Sequence, residues 1–170
     1  AARGGFQDQP AVGHAIGLKH PGNYDSSGDG TEGPYLSATE DTNRYSIMSY
    51  NRQDFSDYNT YVAAPALYDV AAVQYLYGAN TGVRAGDDTY RLDNTGSAFT
   101  KVIWDGGGTD TIDAGAQTRR VIIDLRDGKF SSIGTDGYSS GSWWSGYSYG
   151  DAVDNVSIAM GAVIENAIGG

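Results

Sequence analysis

The sequence predicts an α+β chain in two parts, a helix-and-loop part over residues 1–80 and a β-rich part over residues 81–170. Three observations carry this. Residues 64–77 (APALYDVAAVQYLY) are the clearest stretch with helical spacing. From residue 88 onward, short β-type runs alternate with turns of Gly, Asp and Asn. The composition suits tight turns: 25 of 170 residues are Gly and none is Cys.

In chain order, a short helix is expected to start near Pro10, which suits a first helical turn, with Asp8 or Gln9 as a cap. It would carry Val12, His14 and Ile16 and stop at Gly17. Residues 21–44, rich in Gly, Asp, Ser and Pro, read as a long surface loop, and Tyr45–Tyr50 as a brief apolar turn. In the main helix Pro65 fits the first turn, Leu67, Val70, Ala71, Gln74 and Tyr77 share a face, and Gly78 ends it. Strands are expected at Asp88–Leu92, Thr100–Trp104, Thr109–Asp113, Arg120–Leu125, Val156–Ala159 and Val163–Ile168. Residues 137–150 (GYSSGSWWSGYSYG) read as a low-complexity loop.

Charge narrows the function classes. With 11 Lys and Arg against 21 Asp and Glu, the net charge is −10, which argues against nucleic-acid binding and favours divalent cations. The absence of Cys excludes disulfides and thiolate-ligated metals. No apolar run approaches the roughly 20 residues that span a bilayer. The chain does not begin with Met and its start does not read as a signal peptide, so a processed or excised product is expected.

Two segments carry metal-ligand chemistry. His14-Ala-Ile-Gly-Leu-Lys-His20 holds both histidines of the chain. His14 would project from the last turn of a helix, and Gly17 would turn the chain so that His20 meets His14 at one ion. On the residues alone, ordinary structural histidines explain the pair equally well. The second segment, Asp105-Gly106-Gly107-Gly108-Thr109-Asp110-Thr111-Ile112-Asp113, is close to one nonapeptide of the calcium-binding parallel β-roll, with Asp105 in place of the first Gly. Its glycines would aim carbonyls at an ion, its Asp would supply a hard oxygen, and Ile112 would point into the core. A plain β-turn between strands is the competing reading.

His14-x-x-Gly17-x-x-His20 followed by Ser46-Ile47-Met48-Ser49-Tyr50 resembles the second half of the long zinc signature of the metzincins and their Met-turn. The strings GHAIGLKHPGNYD, AAPALYDVAAVQYLYGAN and NVSIAMGAVIENAIGG are similar to the serralysin family of secreted bacterial metalloproteases, from about Gly13 to Gly170. The resemblance implies the distal part of a metzincin catalytic domain, with active-site helix, Met-turn and one long helix, leading into a calcium-binding β-rich sandwich or roll. It implies an extracellular zinc metalloendopeptidase acting on proteins or peptides. His14 and His20 would be zinc ligands, Met48 would underlie the metal, and Tyr50 would approach zinc and stabilise the developing oxyanion. It further implies two calcium sites. One would join carbonyls of Arg84, Gly86 and Asp88 to Asp105, Gly107 and Asp110. The other would join Gly108 and Asp110 to the carbonyl of Val163 and the side chain of Glu165.

The sequence departs from the family motif H-E-x-x-H-x-x-G-x-x-H at its start. The first His and the Glu would fall at residues 10 and 11, which are Pro10 and Ala11. One zinc ligand and the general base are therefore missing from these positions. Residues 1–12 are either joined sequence or a natural remnant. Asp8, Asp25, Glu32 and Glu40 lie near in sequence but read as solvated loop acids. Trp143 and Trp144 read as a loop tucked over the core, with a binding surface as the alternative. A non-catalytic calcium-binding module is the competing function.

Overall fold

The structure, a computed structural model, describes residues 8–25, 27–30, 32–51, 64–93, 99–135, 140–142, 146–148 and 150–170. Two compact units are present, one drawn from Ala1–Gln53 and Val62–Ala79, the other containing Asn80–Gly170.

In the first unit, helix α1 spans Asp8–Ala15. It ends where only glycine is comfortable: Gly17 has φ +92°. Its N–H bonds to the His14 carbonyl at 3.0 Å and that of Leu18 bonds to the Gly13 carbonyl at 2.9 Å, the two bonds of a Schellman close. Ile16, expected within the helix, falls just past its end. A long irregular segment and a turn through Met48 follow.

Helix α2 spans Leu67–Tyr77 with Ala66 at its N-cap. Pro65 thus precedes the cap and is not in the first turn, as the sequence suggested. Ala66 has no side-chain acceptor, so Asp69, three residues on, reaches back and accepts the Ala66 N–H at 2.8 Å. Gly78, at φ +84°, closes the helix by donating to the Gln74 carbonyl at 2.8 Å. Leu67 is buried, but Tyr75, Leu76 and Tyr77 are exposed, so the expected apolar face is covered only near its start.

The second unit is β-rich. Strands β1 (Thr89–Arg91), β3 (Thr111–Asp113) and β9 (Asn166–Ile168) form a parallel sheet in the order β1-β3-β9. Tyr90 sits opposite Ile112, and Ile112 opposite Ala167. Strands β2 (Lys101–Ile103), β4 (Val121–Ile122), β5 (Phe130–Ile133) and β8 (Val156–Ile158) form a mixed sheet in the order β2-β8-β5-β4. One hydrophobic cluster draws on both sheets: Tyr90, Leu92 and Ile112 meet Ile103, Ile133, Val156 and Ile158. Strand β8 is buried along its whole length, which explains its uninterrupted Val-Ser-Ile pattern without outward polar charge.

Three features depart from the sequence reading. Strand β5 was not expected. It is held by Asn155, whose Oδ1 accepts the Ile133 N–H at 2.9 Å while its Nδ2 donates to the Ile133 carbonyl at 2.9 Å. Within 137–150, expected to be a loop, β6 (Ser140–Ser142) and β7 (Gly146–Ser148) pair antiparallel. Backbone pairing makes this hairpin, and its Ser-Gly composition gives no apolar alternation to read. Trp143 and Trp144 lie outside the described residues. The run expected as a strand from Val163 extends only from Asn166, with Val163 exposed.

Candidate metal centres

The first centre lies in the first unit. The Schellman close on Gly17 turns the chain so that the His14 and His20 rings meet edge to face at 4.7 Å. Their Nε2 atoms are 3.2 Å apart. His14 Nδ1 lies 3.0 Å from the Leu18 carbonyl, and His20 Nδ1 lies 2.6 Å from the Met48 carbonyl. A carbonyl only accepts, so both Nδ1 atoms carry hydrogen and donate. In the neutral rings both Nε2 lone pairs then face one another, an arrangement that calls for a proton or cation between them. Two imidazole nitrogens on one tetrahedral zinc, each at about 2.0–2.1 Å, stand about 3.3 Å apart. The pair therefore fits such an ion.

Met48 is buried beneath this pair, and a Cβ on Gly13 would fall 2.4 Å from its Sδ. The helix residue before His14 thus has to be glycine for the thioether to pack there. The turn carrying Met48 is pinned to α2 by Asp69. Its carboxylate accepts the Ser46 hydroxyl at 2.7 Å and the Ile47 N–H at 2.8 Å besides capping the helix. Burial pushes the Asp69 carboxyl above its ordinary range, against the pull of these donors.

Tyr50 follows the turn. Its ring centroid is 4.6 Å from that of His20 and 4.7 Å from that of Tyr24, nearly parallel to the latter. The residue is about half exposed, at 52%. Pro10 and Ala11 occupy the first half of α1, and neither type of side chain ligates a metal or takes a proton. Asp25 caps its own loop, accepting N–H groups of Ser27 and Gly28 at 2.9 and 2.8 Å. Glu40 accepts the Tyr68 hydroxyl at 2.7 Å, which with Ser37 holds its carboxyl below the usual range. Both acids therefore have structural partners of their own.

The second centre lies in the second unit. Carboxylate oxygens of Asp88, Asp105 and Asp110 all fall within 4.8 Å of one another. Asp110 is fully buried. Its Oδ1 accepts the Asp88 N–H at 2.7 Å, and its Oδ2 has no hydrogen-bond partner. Burial, then the neighbouring charges of Asp105 and Glu165, push the Asp110 carboxyl up. An orphaned carboxylate oxygen among like charges is the donor set of a hard cation.

The backbone around it is built for close approach. Gly107 and Gly108 have φ of +135° and +137°, and a Cβ on Gly108 would lie 2.3 Å from the Gly86 carbonyl oxygen. The turn at 105–110 and the loop at 84–88 are thus in direct contact. Arg84 itself takes φ +51°, and its guanidinium lies 4.9 Å from the Tyr90 ring centre. The Tyr90 hydroxyl donates to Asp105, and burial together with that bond pushes it up to about 12. Glu165 comes 55 residues along the chain to accept the Asp110 N–H at 2.8 Å. Val163 is exposed in the turn before β9.

Sequence reading found the histidines and the glycine-aspartate turn but missed Asp69, which pins the Met48 turn, and Asp41, which accepts the Ser49 hydroxyl at 2.7 Å. An acid at the third helical position was a usable signal for Asp69. Asp41 sits in a polar loop with no local signature.

A β-rich unit with a parallel sheet and a Gly-Asp turn leading into its central strand, in a chain that also carries a helix–turn pair of histidines, is the class that fold and site define. The family model described as "Peptidase M10 serralysin C terminal" matches residues 66–141. The metallopeptidase AprA of Pseudomonas marginalis is 40% identical over 94% of this chain and 34% of its own length. Serralysin of Proteus mirabilis is 38% identical over 94% of this chain and 32% of its own. Serralysin G of Dickeya chrysanthemi is 41% identical over 94% and 33%. These matches support a place in the serralysin family, and the chain spans about a third of the length of the curated relatives it matches.

Proposed function

We propose that this chain carries the distal half of a secreted, serralysin-type zinc endopeptidase site together with a calcium-binding β domain, and that its protein-hydrolysing activity is weak. The observation that carries this is the 3.2 Å approach of His14 Nε2 to His20 Nε2, each ring oriented by a backbone carbonyl on its other nitrogen. His14 and His20 hold zinc, with Tyr50 beside them. The ion when bound supplies a Lewis acid for a peptide carbonyl and an acidified water. The chain's own residues do the rest. His20 is fixed by the Met48 carbonyl, His14 by that of Leu18, and the exposed Tyr50 hydroxyl is free to donate to a developing oxyanion. No side chain at residue 10 or 11 completes the ligand set or takes the proton of an attacking water. Loss of a general base costs roughly 10²–10⁴ in rate.

In the second unit, Asp88, Asp105, Asp110 and Glu165, with carbonyls of the 84–88 loop and of Gly107, Gly108 and Val163, hold calcium. It ties loops distant in sequence together in a chain without Cys. No helix among the described residues is long and apolar enough to cross a membrane, which accords with an extracellular setting. A purely structural calcium module is the second reading, and Pro10 and Ala11 favour it.

Casein hydrolysis decides between them. Slow, chelator-sensitive hydrolysis lost in His14→Ala, and increased at least a hundredfold by Pro10→His with Ala11→Glu, supports the protease reading. Hydrolysis absent in every variant, with a calcium-dependent rise in melting temperature, supports the module.

A further inference from the structure

We infer that Asp41 is a positioning residue for Tyr50: it anchors a polar strut that fixes the Tyr50 backbone and presents its exposed phenol beside the histidines. The inference rests on the zinc-site reading above for its functional meaning, and on independent geometry for the strut. Asp41 is buried in the first unit, 8% exposed, at the end of the polar loop. Its Oδ1 accepts the Ser49 hydroxyl at 2.7 Å, and its Oδ2 accepts the Asn51 amide at 2.9 Å. Both neighbours of Tyr50 are therefore tied to one carboxylate. Tyr50 is tied to it indirectly: its N–H donates to the Tyr24 hydroxyl at 3.2 Å, and that hydroxyl donates to Asp41. Ser49 Oγ also accepts the Asn51 N–H at 3.1 Å, closing the network.

The sequence leaves room for this on purpose at Gly22. A Cβ there would fall 2.2 Å from the Tyr24 ring and 2.5 Å from Asp41 Oδ2. Any other residue would push the Tyr24 ring or the carboxylate away. The Tyr24 ring then stacks on Tyr50 at 4.7 Å and tilts against His20 at 5.7 Å. The Tyr50 N–H and the side chains of both its neighbours are thus referred to Asp41, Asn43 holds the Ser49 and Asn51 carbonyls, and the Tyr50 side chain stays half exposed. An exposed phenol on a fixed backbone, its ring packed on Tyr24 and His20, reaches a metal on the histidines in one defined place.

Two measurements on the whole chain test this, with Tyr24→Phe as a mild second variant to Asp41→Asn. The first is amide hydrogen exchange at Tyr50 in the metal-free chain. Protection is expected to fall at least tenfold in both variants, while the Leu18 amide, bonded to Gly13, keeps its rate. The second uses Cu²⁺ as probe, because a coordinated phenolate gives a visible charge-transfer band that histidines alone do not. The band is expected in the unmodified chain and absent in Tyr50→Phe. It should be reduced severalfold in Asp41→Asn with copper uptake retained. Unchanged Tyr50 exchange in Asp41→Asn overturns the strut, and an undiminished band with the amide freed overturns its role in placing the phenol. A chain that takes up no copper fails the zinc-site reading instead, and the exchange result alone then decides the strut.

Discussion

A single carboxylate oxygen, Asp110 Oδ2, states the electrostatic problem of the second unit most sharply. It is buried and unpartnered beside Asp105 and Glu165. Without a cation it costs stability, and with one it is a ligand. Asp110→Asn is therefore expected to raise the melting temperature of the cation-free chain and to abolish its rise on adding calcium. Calcium at a hundred times its dissociation constant contributes about 2.7 kcal/mol, or roughly 11–22 °C for a unit of this size. Thermal melts with and without calcium read both effects, and a calcium-induced rise that survives in Asp110→Asn contradicts the assignment. A half-buried acid with a cationic partner behaves oppositely. Bonds from the Arg126 side chain, at 2.5 and 2.9 Å, lower Asp124 from 3.8 to about 2. The folded chain thus holds its proton less tightly than the unfolded one. The pair's contribution is present above the unfolded value and is lost as pH falls through about 2. Arg126→Ala should move the Asp124 carboxyl midpoint up toward 3.8 in an NMR titration, while the backbone N–H of residue 126, which also donates to Asp124 at 3.0 Å, keeps it from returning fully.

At the scale of elements, α2 and the Met48 turn are one construction joined by Asp69. Asp69→Ala strips partners from the Ser46 hydroxyl and the Ile47 and Ala66 N–H groups at once. Each buried group left unpaired costs about 1–3 kcal/mol. The expected loss is at least about 3 kcal/mol in denaturant unfolding of the first unit, together with weakened metal uptake, since the turn also carries the carbonyl that orients His20. In the second unit, Ile112 is the fully buried centre of the parallel sheet. Ile112→Ala should cost about 2–5 kcal/mol, measured the same way. Elements were legible in the sequence where local chemistry forces them. The glycine at 17 stops α1, and helical spacing with Gly78 gives α2. Strand β5 was not legible, because Phe-Ser-Ser-Ile becomes a strand through Asn155, 22 residues away. The β6–β7 hairpin was hidden for a similar reason, its pairing being made by backbone alone.

For the molecule as a whole, the sequence disclosed the two sets of ligands better than the frame that holds them. His14 and His20 share a short segment whose turn glycine predicts their meeting, and the Asp105–Asp113 turn announces its own geometry. Glu165 reaches Asp110 across 55 residues through the pairing of β3 with β9, which no local pattern encodes. Asp41 and Tyr24 were likewise invisible, being polar residues in a polar loop whose roles exist only after folding. The central claim is that half a zinc site persists here without the side chain that would drive hydrolysis. Elemental analysis of the chain dialysed from excess zinc tests it most directly. One zinc per chain is expected, and none in His14→Ala or in His20→Ala; an unmodified chain without zinc, or zinc undiminished in both variants, would contradict it.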